Sequence, residues 1–173
     1  ENASWRPTAA NTAIARALEL SPNDPQTLAL AAFFVAGTDR TEAVRMAERA
    51  VLLNPQDSVT RSYLGGLYVV LGDADSAATT YRTASALAPG LGSLYLNLGV
   101  AEMLRGNQDA ALQAFQANEA SLADPSVGGP LVGTAQRAYF YGKLGRSEDV
   151  AQEIARLRQR DADGTVPAAL WTL

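Results

Sequence analysis

The chain repeats itself at intervals of 34 residues. Leu64, Gly65, Gly72, Ala77 and Tyr81 reappear 34 positions on as Leu98, Gly99, Gly106, Ala111 and Phe115. Upstream, proline marks the same period with a slip of one. Pro22 to Pro55 spans 33 residues and Pro55 to Pro89 spans 34, and Ala17, Ala50 and Ala84 each stand five residues before one of those prolines. Downstream, Gly106 to Gly145 spans 39 residues, as though five had been inserted. A period of this length means that one supersecondary unit is stacked on copies of itself. The fold of the chain therefore follows from the fold of one unit.

In residues 58–89 that unit reads as two antiparallel helices. The first spans Val59 to Leu71, with Leu64, Leu67, Tyr68 and Leu71 on one face at spacings of three and four. Gly72-Asp73 ends it, with glycine where a left-handed backbone is wanted. The second runs from about Ala74 to Leu87 and is stopped by Pro89. Gly65, Ala77 and Ala84 are small where two helices must approach closely. Asp24 and Asp57 stand where N-caps are wanted. Every periodic segment has the helical period, so the expected class is all-α, a solenoid of antiparallel helix pairs.

The order Leu64, Gly65, Tyr68, Ala77, Tyr81, Ala84, Pro89, followed by Tyr95, Leu98, Gly99, Gly106, Ala111 and Phe115, resembles the W-x-x-L-G-x-x-Y…A-x-x-x-F…P pattern of the tetratricopeptide-repeat (TPR) family. The resemblance covers nearly the whole chain and implies a right-handed superhelix. On that basis residues 1–173 divide as one array. Residues 7–22 are the second helix of an incomplete repeat, with Ala10, Ile14, Ala17 and Pro22 in register. Residues 25–57, 58–91 and 92–125 are repeats, 126–130 an insertion, 131–162 a degenerate repeat and 165–173 the start of a capping helix. Departures from the pattern gather toward the ends. Gly37-Thr38-Asp39 replaces the glycine turn, Asn118 and Ala123 stand where small residues and proline are usual, and Gln136 and Arg137 stand where leucine is typical. Val150, Ile154 and Leu157 are expected to face inward from a helix over Ser147 to Gln159. With one end lacking a first helix and the other a second, the chain reads as a segment of a longer array or protein.

Composition narrows the function. Of 173 residues 47% are hydrophobic, enough for a sizeable core, and the formal net charge is −4 with no basic stripe for nucleic acid. The absence of both Cys and His removes disulfides, thiolate nucleophiles, Ser-His triads and nearly every zinc, copper or haem site. No signal-peptide pattern opens the sequence, and the apolar run Leu28 to Ala36 is far short of the ~20 residues that span a bilayer. This is expected to be a soluble chain of unassigned compartment, cytoplasmic or periplasmic, with no membrane span.

Other constellations have plainer readings. Gly128-x-x-x-x-Gly133-Thr134 has the spacing of a phosphate loop but lacks its lysine and follows a helix, so it reads as a glycine-rich connection. Asp73 with Asp75, and Glu148 with Asp149, suit helix N-termini, and the arginines at 156, 158 and 160 suit a helix C-terminus. Tyr139 and Tyr141 offer either a binding platform or core. No nucleophile has an adjacent base, so neither enzyme activity nor a cofactor is expected.

In the TPR family the first helices of successive units line a concave groove that binds peptide segments. The resemblance implies a partner-binding groove at Phe33, Val59, Ser62, Gly66, Val69, Leu96, Asn97, Val100, Met103, Ala135 and Tyr139. Gln26, Ala29, Ala36, Val70, Ser93, Leu104, Val132 and Lys143 occupy equivalent places. Only Lys143 among these is charged. Asn97 matches a position of the carboxylate clamp found in some TPR modules, but its basic companions are missing. An apolar groove suits an apolar or amphipathic protein segment, so the expected function is a protein-interaction scaffold, with self-association open. The alternative is a regulatory or accessory TPR region of a larger bacterial regulator, cyclase, or secretion or pilus assembly protein.

Overall fold

A computed structural model describes residues 8–121 and 131–162. The 126–130 insertion and the 165–173 cap fall outside the described residues. The described residues form helices α1 (Thr8–Leu20), α2 (Pro25–Val35), α3 (Arg40–Leu53), α4 (Ser58–Leu71), α5 (Ala74–Leu87), α6 (Gly92–Leu104), α7 (Gln108–Ser121), α8 (Leu131–Lys143) and α9 (Ser147–Ala162). No strand occurs among them. The helices pack in consecutive pairs, α2 on α3, α4 on α5, α6 on α7 and α8 on α9. The chain divides into two compact units, Glu1–Ala88 and Pro89–Leu173. In the first, α1 packs on α2, and both α2 and α3 pack on α4; in the second, α6 packs on α8.

Helix starts are written in single residues. Asp24 accepts a hydrogen bond from the Thr27 amide at 2.7 Å, Asp39 from Glu42 at 2.9 Å, Asp57 from Val59 at 2.9 Å and Asp73 from Ser76 at 3.0 Å. Each satisfies an amide that the helix itself leaves without a partner. These bonds hold the Asp24 and Asp73 carboxyls below the usual carboxylate range, and burial opposes them only weakly.

Helix ends follow one design three times. Gly72 has φ +80°, its amide donates to the Val69 carbonyl at 3.1 Å, and the Asp73 amide reaches back to the Tyr68 carbonyl at 2.9 Å. Gly106 and Gly145 repeat both bonds, with Asn107 to Glu102 and Arg146 to Tyr141 at 2.9 Å each. The α2–α3 turn, which lacks that glycine, turns through right-handed Ala36 instead, and the Asp39 amide donates to the Val35 carbonyl at 2.8 Å.

Alanine makes the close contacts, and in the α4–α5 and α6–α7 pairs one aromatic ring fills what is left. Ala43, Ala47, Ala77, Ala84 and Ala111 have no exposure. Tyr81 on α5 lies against Gly65 on α4, where an added Cβ would come 3.0 Å from the ring. Phe115 on α7 lies against Gly99 on α6, where an added Cβ would come 2.8 Å from Cζ. Burying such a ring contributes about 1.5–3 kcal/mol, which compensates for the little apolar area that alanine supplies.

Candidate partner-binding face

In the first unit, Val59, Ser62, Gly66 and Val69 fall at spacings of three and four along α4 and share a stripe. Val59 is 42% exposed, Val70 beside Val69 is 64% exposed, and Ser62, Gly66 and Val69 are half-buried. Phe33 on α2 is half-buried and meets Tyr63 edge-on, with ring centroids 6.2 Å apart. A Cβ on Gly66 would stand 3.2 Å from Phe33 Cζ and 3.3 Å from the Tyr81 hydroxyl, so glycine is what admits both rings. Ala29 on α2 and Ala36 at its C-cap, expected at equivalent places, are core residues. The exposed apolar side chains of α2 are Leu30 and Phe34. One repeat later the place of Phe34 is held by Leu67, which is fully buried among Ala32, Ala36, Ala43, Ala47 and Leu64.

In the second unit, Leu96 is not on an accessible face. It is 7% exposed and belongs to the core with Ala111, Phe115 and Tyr141, and Val100 and Met103 pack partly against that cluster. The groove position of Leu96 is thereby corrected: the ring of Tyr141, brought in by α8, belongs to the same cluster. Asn97 is half-buried, while Leu104, Ala135 and Tyr139 are exposed. The Lys143 ammonium lies 5.4 Å from the centroid of the Tyr139 ring, within cation–π range. Tyr139 and Tyr141 part ways because residues two apart point to different sides of a helix. Tyr141 joins the core, edge-on to Phe115 at 5.9 Å.

The sequence reading missed a buried polar chain in this unit. Asn118, Arg137 and Glu153 are each at most 2% exposed. Arg137 Nη1 donates to Asn118 Oδ1 at 2.5 Å and Nη2 to Glu153 Oε2 at 2.7 Å. Glu153 Oε1 accepts from Arg156, whose other Nη pairs with Glu119. The hydrogen bond that Arg156 donates to Glu119 raises the Arg156 pKa above the ordinary arginine value, against the pull of burial. The signal was present in the sequence as arginine in a leucine position, but its acceptors lie on other helices. Ile154, expected inward, is 37% exposed, and its neighbour Glu153 is buried instead.

Among the described residues no group of His, Cys, Asp or Glu is placed to hold a metal ion, and no helix is long and apolar enough to cross a membrane. No protein-family model and no curated protein sequence matches the chain. Solved structures do match it. The crystal structure of TTC0263, a thermophilic TPR protein in Thermus thermophilus, superposes with a TM-score of 0.71 at 21% identity, over 87% of this chain and 81% of that one.

This chain has the tetratricopeptide-repeat fold.

The crystal structure of MamA is similar at TM-score 0.64 and 17% identity, over 90% of this chain and 88% of that one. MamA 41-end from Desulfovibrio magneticus RS-1 is similar at 0.67 and 16%, over 91% and 86%. At these identities the likeness is one of fold. In TPR terms α2, α4, α6 and α8 are first helices, and α3, α5, α7 and α9 are the second helices paired with them. The exposed Val59, Val70, Leu104 and Tyr139 stand on first helices, while the exposed Leu52, Leu53 and Ile154 stand on second helices.

Proposed function

We propose that this TPR chain is a protein-interaction scaffold whose first-helix faces bind an apolar or amphipathic segment of a partner protein. The observation that supports this reading most directly is the set of large apolar side chains left in solvent on first helices. Val70 is 64% exposed, Leu104 58% and Tyr139 60%. Solvent-facing apolar groups of this size contribute about 25 cal/mol per Å2 when a partner covers them. Lys143 is the only charge at the equivalent positions, so binding draws little on ion pairs. In this reading Phe33, Ser62, Gly66 and Val69 flank Val70 within the first unit, and Asn97, Val100 and Met103 flank Leu104 and Tyr139 within the second, where Leu96 packs in the core beneath.

The test uses positions whose side chains stand in solvent, because Val100 also packs on the core and its replacement would confuse unfolding with lost binding. Fluorescence anisotropy is measured with a panel of amphipathic helical peptides and scrambled controls, for the parent chain, Val70→Asp and Tyr139→Asp. Expected is a peptide that binds the parent and is lost by at least one variant whose circular dichroism is unchanged. Binding that neither variant weakens would place the site elsewhere, and the absence of any binding would remove the reading.

A further inference from the structure

The second unit joins its two hairpins differently from the first. In the first unit, the second helix α3 presents Ala50 and the next first helix α4 presents Leu64, both buried and apolar. One repeat on, Ala84 and Leu98 hold those places. In the second unit the same places are held by Asn118 and Arg137. Glu153 stands 39 residues after Ala114, the interval that relates Gly145 to Gly106. Three positions that are small or aliphatic elsewhere have changed together, and all three side chains are buried.

They are chained across all four helices of the unit. Asn118 Nδ2 on α7 donates to the Gly92 carbonyl at the start of α6 at 2.7 Å, and its Oδ1 accepts from Arg137 on α8. Arg137 Nη2 donates to Glu153 on α9 and lies 3.4 Å from the Thr134 hydroxyl. Arg156 returns from α9 to Glu119 on α7. Such a chain is a poor source of stability. Desolvating a guanidinium and a carboxylate costs several kcal/mol per ion before their attraction offsets it, and Arg137 Nε is buried with no hydrogen-bond partner among the described residues. What the chain does provide is a heavy penalty for misplacement. If the α8–α9 hairpin slid by one turn, or docked where a second helix offers Ala50-Val51 or Ala84-Ser85, the buried charges would lose their partners.

We propose that Asn118, Arg137 and Glu153 form a pairing key. It restricts the α8–α9 hairpin to the α6–α7 hairpin of its own chain, in one register, and adds no net stability. Repeat hairpins resemble one another, so exchange between copies of a chain is a low-cost error, and buried polar groups that fit only one partner are a means of suppressing it.

The test uses the full 173-residue chain and two variants. Asn118→Ala restores the alanine of positions 50 and 84 but leaves Arg137 and the Gly92 carbonyl each short of a partner. It should lower the urea midpoint and speed amide exchange in α8 and α9 by about tenfold relative to α6 and α7. The triple variant N118A/R137L/E153A restores all three repeat residues and leaves Arg156 paired with Glu119. It should regain at least the parent midpoint, yet populate swapped oligomers that the parent lacks, seen as a concentration-dependent shift by light scattering. A triple variant with the parent's oligomer distribution and parent-like exchange in α8–α9 would overturn the proposal. A triple variant that fails to fold would overturn it too, since the chain would then be a source of stability. Parent-like exchange in Asn118→Ala would show that the chain is not a connected key.

Discussion

Ala111 has no solvent exposure and sits in the core of the second unit with Phe115, whose ring presses on Gly99. There is no space for a larger side chain where α7 meets α6. Ala111→Leu should overpack this contact and cost roughly 1–3 kcal/mol, read as a lower urea midpoint. An unchanged midpoint would mean that the contact can open without strain. Tyr81 makes the equivalent contact in the first unit, and burial pushes its hydroxyl up to about 12 from the ordinary 10.0. The folded chain therefore holds the phenolic proton more tightly than the unfolded chain. That contribution is present in full below about pH 10 and is lost as pH rises toward about 12. Tyr81→Phe should flatten the alkaline fall in stability, measured as urea midpoint against pH. Tyr68 and Tyr141, raised in the same way, keep part of the slope. Ala111 was legible in the sequence as a small residue recurring at a fixed offset where two helices approach; that the ring of Tyr81 lies against Gly65 became visible only in the packed pair.

Helix ends were legible for a related reason. A cap or a left-handed turn is decided within about five residues of chain, so Asp57, Gly72 and Pro89 carry their own structural instruction. Gly72 has φ +80° at the end of α4. Valine there would force a β-branched residue into the left-handed region at about 1–2 kcal/mol, whereas asparagine tolerates it. Gly72→Val should therefore lower the thermal midpoint clearly and Gly72→Asn much less. Equal losses from the two would assign the effect to the side chain's surroundings, yet beyond its chain neighbours and its own helix backbone nothing lies within 4 Å of where that Cβ would be. The face each helix presents was less legible than its ends. Glu153 reads as a solvent-facing residue beside Ile154 until α8 brings Arg137 against it.

For the molecule as a whole, the net charge of −4 is carried largely off the proposed binding positions. Partner association that rests on Val70, Leu104 and Tyr139 should be nearly insensitive to ionic strength, because apolar burial is not screened. The dissociation constant of the peptide selected by the anisotropy panel, compared at low and high salt, checks this. A steep salt dependence would mean that exposed charges such as those on α3 and α9 carry the interaction instead.

The sequence by itself determined the all-helical class, the hairpin unit, end signals such as Asp24, Asp57 and Gly72, and the small residues at the close approach of paired helices. All of these depend on neighbours in the chain or on a repeated offset, and so survive in one dimension. Only the tertiary structure decided which apolar residues of the first helices remain in solvent. Leu96 and Ala29 are covered while Leu104 and Leu30 are not, because burial depends on helices brought from far along the chain. It also decided that Arg137, which looks like a defect in the repeat, is a buried guanidinium with acceptors on two other helices. A charge inside a helix pattern has no meaning until its partner arrives, and that partner is placed by packing alone.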